Sequence, residues 1–79
     1  MTRYEIFVTY KRGIFDPPGA TAARALANLG YDEVEGVSIG KYIRLDVADG
    51  TPEERVAEMC DKLLANPVIE DYRIVAKEV

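Results

Sequence analysis

Cys60 is the single thiol in the sequence, and no histidine accompanies it. A cysteine acts as a nucleophile or metal ligand through its thiolate, which needs a stabilising neighbour and a path to solvent. Cys60 instead falls on an apolar run of Val56, Met59, Cys60, Leu63 and Leu64, at the i, i+3, i+4, i+7, i+8 spacing of one helix face. That placement predicts a buried structural thiol. The missing histidine removes the commonest acid–base group near neutral pH. A lone cysteine allows no intrachain disulfide, and a zinc site would be left with one thiol and carboxylates. Glu53, Glu54, Glu58 and Asp61 form an acidic run on the same helix, where early acids complement the helix dipole. They read as a solvated face. Lys11 and Arg12 beside Gly13 have the chemistry to hold an anion or a partner's carboxylate. The glycines make no GxGxxG or P-loop pattern and are spaced as turn and cap residues. No catalytic, metal-binding or cofactor-binding set is predicted.

The elements that position these residues belong to one small domain spanning 1–79. A chain of 79 residues buries roughly 60% of the surface that its unfolded form exposes. Domains of this size lean on disulfides, metals or oligomerisation. With the first two disfavoured by composition, oligomerisation is expected. A net charge of −4 does not suit a nucleic-acid binder, whose affinity comes largely from neutralising phosphates. No apolar run approaches the ~20 residues of a membrane span. Met1 to Tyr4 enters a charged, alternating segment with no signal-peptide pattern, so a cytoplasmic location is expected.

Tyr4 to Tyr10 alternates and is rich in β-branched and aromatic residues, predicting a strand. Asp16-Pro17-Pro18 predicts a helix start, with Asp16 as cap and proline in the first turn. Gly19, Ala22, Ala23, Leu26 and Leu29 follow at helical spacing, and Gly30 suits the left-handed position that closes the helix. Val34 to Ile39 is expected to hold a second strand, joined by a short hairpin at Ile39-Gly40 to a third, Lys41 to Val47. Asp49-Gly50 predicts a turn, and Thr51-Pro52-Glu53-Glu54 a capping box opening the second helix. Asn66-Pro67 stops that helix, and Tyr72 to Lys77 predicts a final strand. The order β-α-β-β-α-β predicts an α+β two-layer sandwich of the ferredoxin-like kind, a four-stranded antiparallel sheet with both helices on one face.

In that arrangement Ile6, Val8, Ile43, Leu45, Val47, Ile74 and Ala76 face the helices. Phe7, Thr9, Tyr42, Arg44, Arg73 and Val75 face away. A contiguous group of aromatic, aliphatic and basic residues on an open sheet face predicts a protein interface. The fold hosts many functions, so topology alone does not choose among them.

Several segments narrow the choice. Lys11-Arg12-Gly13-Ile14-Phe15-Asp16-Pro17-Pro18-Gly19, following the first strand, resembles the K-x-G-hydrophobic-x-D-P-x-G opening of the PurS family. Ala25-Leu26-x-x-Leu29-Gly30-Tyr31 and Val37-x-Ile39-Gly40-Lys41-Tyr42-Ile43 resemble its helix end and central strand. Met59-Cys60-x-Lys62-Leu63-Leu64-Ala65-Asn66-Pro67-Val68-Ile69-Glu70-Asp71-Tyr72 is similar to its C-terminal signature. The resemblance implies a non-catalytic adaptor subunit of glutamine-dependent phosphoribosylformylglycinamidine synthase in purine biosynthesis. It implies a homodimer, with a tetramer as the alternative, docking a glutaminase subunit (PurQ) to an ATP-dependent synthetase subunit (PurL). ATP and Mg would be used by the complex, with no cofactor on this chain and no nucleic-acid or membrane partner. Combined with the open face, it assigns interface roles to Phe7, Lys11, Arg12, Asp16, Lys41, Tyr42, Arg44, Asn66, Glu70, Tyr72 and Arg73. An ACT-like module that binds a small effector at a subunit interface shares the expected topology and is the alternative.

Overall fold

The computed structural model describes residues 1–78. Alternation and β-branching at the N-terminus produce strand β1 (Thr2–Tyr10), and the second and third strands are β2 (Lys41–Val47) and β3 (Glu70–Glu78). They form one antiparallel sheet in the order β2-β1-β3. The register sets Ile6 opposite Ile43 and Ile74, and Phe7 opposite Tyr42 and Arg73. Period-2 alternation then sends the isoleucines to one face and the Phe7 row to the other. On the inner face Tyr4, Ile6 and Val8 pack with Val56, Cys60 and Ala65, and Ile43, Leu45, Val47, Leu64, Tyr72 and Ile74 close around them. Ala76 shares this register but is exposed.

Helix α1 (Pro17–Asn28) starts as its sequence predicts. Asp16 Oδ1 accepts from the Gly19 N–H at 3.0 Å. Its end is a Schellman closure: Tyr31 N–H donates to Leu26 O, Gly30 N–H donates to Ala27 O, and Gly30 has φ +96°. Helix α2 (Glu53–Met59) does not form the expected capping box. Pro52 occupies the cap position, and the Thr51 hydroxyl donates back to the Ala48 carbonyl at 2.7 Å. Past Met59 the helix widens to a π turn over Cys60–Leu64, where Ala65 N–H donates to Cys60 O. The wider turn carries Ala65 into the core beside Cys60. Leu63 rotates outward and is 82% exposed, although the stripe predicted it inside.

Two larger expectations fail. Three strands form, not four, so the element order is β-α-β-α-β. Residues 34–39 have no ladder partner among the described residues. A tight hairpin at Ile39-Gly40 would need a primed turn, and Gly40 is not among the glycines with positive φ. Gly40 instead lies so close to the Val8 carbonyl that a Cβ there would clash. The chain therefore runs straight through into β2. The second failure follows from the first: both helices were expected on one face, and α2 alone covers it. With its connection extended, α1 makes almost no contact with the sheet or α2. It projects as an arm whose return segment reaches the base again at Val37 and Ile39. The radius of gyration is 15.9 Å. A compact domain of this length would have about 12 Å.

Truncating the core should separate body from surface. Ile6→Ala and Val56→Ala should each cost ~2–5 kcal/mol in urea unfolding, and the exposed Thr9→Ala should stay within about 0.5 kcal/mol.

Candidate functional site

The outer sheet face is built by register. β1 supplies Glu5 and Phe7, β2 supplies Tyr42, Arg44 and Asp46, and β3 supplies Arg73, Val75 and Lys77. The Arg73 guanidinium sits 4.7 Å from the Phe7 ring centroid, a cation–π distance. Phe7 and Tyr42 rings pack with centroids 5.3 Å apart, tilted by 45°. The Tyr42 hydroxyl donates to Glu5, and this bond raises the Tyr42 pKa. Arg3 grips Asp46 with two N–H groups at 2.7 and 3.3 Å, and that hydrogen bond holds the Asp46 carboxyl below its ordinary value. These pairs hold the face in one arrangement. Arg44 and Arg73 carry no ion pair among the described residues and face outward. The arrangement offers two guanidiniums flanking an aromatic strip, suited to contact with a protein surface.

The basic loop and the C-terminal signature meet at the other end of β1. Lys11 N–H donates to Ile69 O at 2.8 Å, and Lys11 Nζ pairs with Asp71 at 2.9 Å. Asn66 and Glu70 serve the turn itself. Glu70 Oε1 accepts from Asn66 N–H at 2.7 Å, and Asn66 Oδ1 accepts from Val68 N–H at 3.1 Å. Arg12 is exposed in the loop. Lys41 Nζ donates to the Leu64 carbonyl at 2.9 Å, tying β2 to the helix end. Tyr72 is on the inner face, not the outer one; its hydroxyl donates to Asp61 at 2.9 Å, which raises its pKa. Phe7, Tyr42, Arg44 and Arg73 thus form one cluster, and Lys11, Asn66 and Glu70 a second. Asp16 lies apart, at the base of the arm.

A third surface escaped the sequence reading. Leu45, Met59, Leu63 and Leu64 line an open groove of about 430 Å³ on the helix side of β2. Arg55, Glu58 and Lys62 form its rim. This is where a second helix would lie on a fully covered sheet. The arm meanwhile exposes Phe15 and Leu29 at 73% each and Tyr31 at 50%. The clue was present in sequence: apolar residues at 14, 15 and 31 lie outside every predicted strand and helix face.

Cys60 is fully buried, and burial followed by the neighbouring Asp61 charge pushes its thiol pKa up. Both effects oppose thiolate formation. Among the described residues no group of three His, Cys, Asp or Glu side chains could hold a metal ion. No helix there is long and apolar enough to cross a membrane.

Fold and surfaces together define a small α+β module with an open aromatic and basic sheet face. The model of the family described as PurS, phosphoribosylformylglycinamidine (FGAM) synthase, matches residues 3–78. The PurS subunit of Bacillus subtilis phosphoribosylformylglycinamidine synthase is 43% identical, with 100% of this chain and 96% of that protein aligned. The solved B. subtilis PurS structure superposes with a TM-score of 0.90 at 42% identity, covering 99% of this chain and 100% of that one. A chain in the solved PurLQS structure from Thermotoga maritima gives a TM-score of 0.82 at 32% identity, covering 96% of each chain. The chain belongs to the PurS family. With coverage this complete, the shared fold includes the projecting arm as well as the sheet.

Two measurements check the electrostatics. Native Cys60 should alkylate far more slowly at pH 8 than the urea-unfolded chain. The Arg3–Asp46 pair involves a carboxylate with a lowered folded pKa. Its contribution should be complete above the ordinary value of about 4 and disappear as pH falls through the folded value. Urea unfolding across acid pH should show that loss, and Asp46→Asn should flatten it.

Proposed function

We propose that this chain is the adaptor subunit of the glutamine-dependent synthase that forms phosphoribosylformylglycinamidine in purine biosynthesis. It holds a glutaminase subunit (PurQ) against an ATP-dependent synthetase subunit (PurL). The family match over residues 3–78 carries this reading, supported by the likeness to a chain of the PurLQS structure. ATP and Mg belong to the complex and are handled by its other subunits. The whole chain acts as one PurS-like domain in the cytoplasm, where the pathway's soluble intermediates are.

The physical task is containment. Ammonia released by a glutaminase is lost to protonation and to bulk water unless the two active sites are sealed together. An adaptor supplies interface area and rigidity and needs no reacting group. We assign partner contact to the outer face, with Phe7, Tyr42, Arg44 and Arg73 as its centre. Aromatic and arginine residues are enriched at such contacts because each combines large apolar area with a directional polar end. Lys11, Arg12 and the turn from Asn66 to Glu70 form a second contact at the strand end. Lys41 and Tyr72 support these surfaces from behind.

The chain acts as a homodimer, with a dimer of dimers as the larger assembly consistent with its several open surfaces. The supporting observation is self-complementarity. The arm carries a helix with almost nothing against it, and the body carries an apolar groove of about 430 Å³ lined by Leu45, Met59, Leu63 and Leu64. A two-fold pair of chains would fill both grooves with both arms.

The test is synthase turnover by the large and glutaminase subunits with and without this chain, using glutamine or ammonium as nitrogen source. Glutamine-driven turnover should require the chain, and ammonium-driven turnover should change little. Phe7→Ala with Arg73→Ala should cut glutamine-driven turnover at least about tenfold, the loss of one hot-spot contact, and leave the ammonium rate intact. Equal rates with and without the chain would refute the adaptor reading.

A further inference from the structure

The uncovered face of α1 has two possible hosts. One is the groove of a second copy. The other is the groove of its own body, reached by folding Ile39-Gly40 into the hairpin that the sequence pattern predicts and laying α1 beside Leu45, Met59 and Leu64. With α1 against Leu45, Met59 and Leu64 in either host, the same residues would meet, which is the condition for an element to be exchanged between copies. The choice between them is therefore made at the hinge.

Asp16 occupies that hinge. Its Oδ1 accepts from Gly19 N–H at 3.0 Å, an ordinary helix cap. Its Oδ2 accepts from Ile39 N–H at 2.9 Å, across a separation of 23 residues. A cap needs the first bond; the second ties the helix start to the entrance of β2. Gly19 lets the two segments close, because a Cβ at 19 would collide with the Val37 carbonyl and the Asp16 carboxylate. Gly40 presses on the Val8 carbonyl from the other side. Folding the hairpin would swing Ile39 away from Asp16 and break the longer tie.

We propose that Asp16 is a latch: by fastening Ile39 to the first turn of α1 it keeps the arm extended and directs the helix to a second copy instead of to its own groove. This rests on the homodimer reading given above. Hydrogen bonds to an ionised carboxylate are among the stronger ones, and one side chain carries both, so its loss frees both ends of the arm together.

The test uses the full chain, with sedimentation equilibrium for assembly and a fluorescence distance for the arm. Dyes on Arg24→Cys and Glu54→Cys report arm against body within one chain when diluted into excess unlabelled protein, and Cys60 is buried away from the label. Asp16→Ala should weaken the dimer by about tenfold or more, as expected for losing a hydrogen bond to a charged group, and add a short-distance population. Asp16→Ser separates the two roles. Its hydroxyl can still cap Gly19 but is too short to reach Ile39 as well. It should keep the helix signal in circular dichroism and yet behave like Asp16→Ala in distance and affinity. If Asp16→Ser matches the wild type in both, the carboxylate is a cap alone and the latch is refuted. If the wild type sediments as a monomer, the homodimer reading fails. The latch is then decided by the distance alone, supported if Asp16→Ser shortens it and refuted if it does not.

Discussion

Ile6 and Val8, on the central strand, pack beneath Val56 and Cys60, and all four side chains are essentially removed from solvent. The rest of the molecule depends on that contact. β1 is the strand hydrogen-bonded on both sides, so its inner residues set where β2 and β3 lie and where α2 must rest. The π turn at Cys60–Leu64 serves the same contact, keeping Cys60 and Ala65 together over the sheet at the cost of turning Leu63 outward. Cys60 thus fills a packing position in which a reactive thiolate would be unstable.

One short helix cannot cover a three-stranded sheet whose strands run to nine residues, and the chain leaves two kinds of surface uncovered. The outer face is held in place by paired charges and stacked rings. Arg3–Asp46 and Tyr42–Glu5 lock side chains that would otherwise lose rotamer freedom on binding. The helix side is different: its groove is apolar, and α1 makes almost no contact with it. Polar preorganisation suits contact with other subunits, and apolar self-complementarity suits contact with a second copy. Both fit a subunit whose contribution to the PurS-containing synthase is geometric.

Asp16 connects these levels. In sequence it is an N-cap before two prolines, and a cap would account for its presence. In space the same carboxylate also holds Ile39, so a local helix signal doubles as a long-range tie. Gly19 and Gly40 are likewise explained by close backbone approaches to Val37 and Val8 and not by turns.

The alternation in residues 4–10, 41–47 and 72–77, the Asp16-Pro17 start, the Gly30 close and the Asn66-Pro67 stop were all legible from residue order, because each depends on neighbours a few positions away. So was the outer row of Phe7, Tyr42, Arg44 and Arg73, since strand parity alone assigns faces. The family resemblance was legible for the same reason, as it resides in short ordered segments. Tertiary structure alone decided whether residues 34–39 turn back or run on, because β-branched residues in an extended segment are satisfied by either path. The close approach of Gly40 to Val8 and the Asp16 tie to Ile39 settle it, and both join residues far apart in sequence. That single backbone choice placed α1 on an arm and left the groove beside Leu45 uncovered, where residue order predicted both helices packed on one face of the sheet.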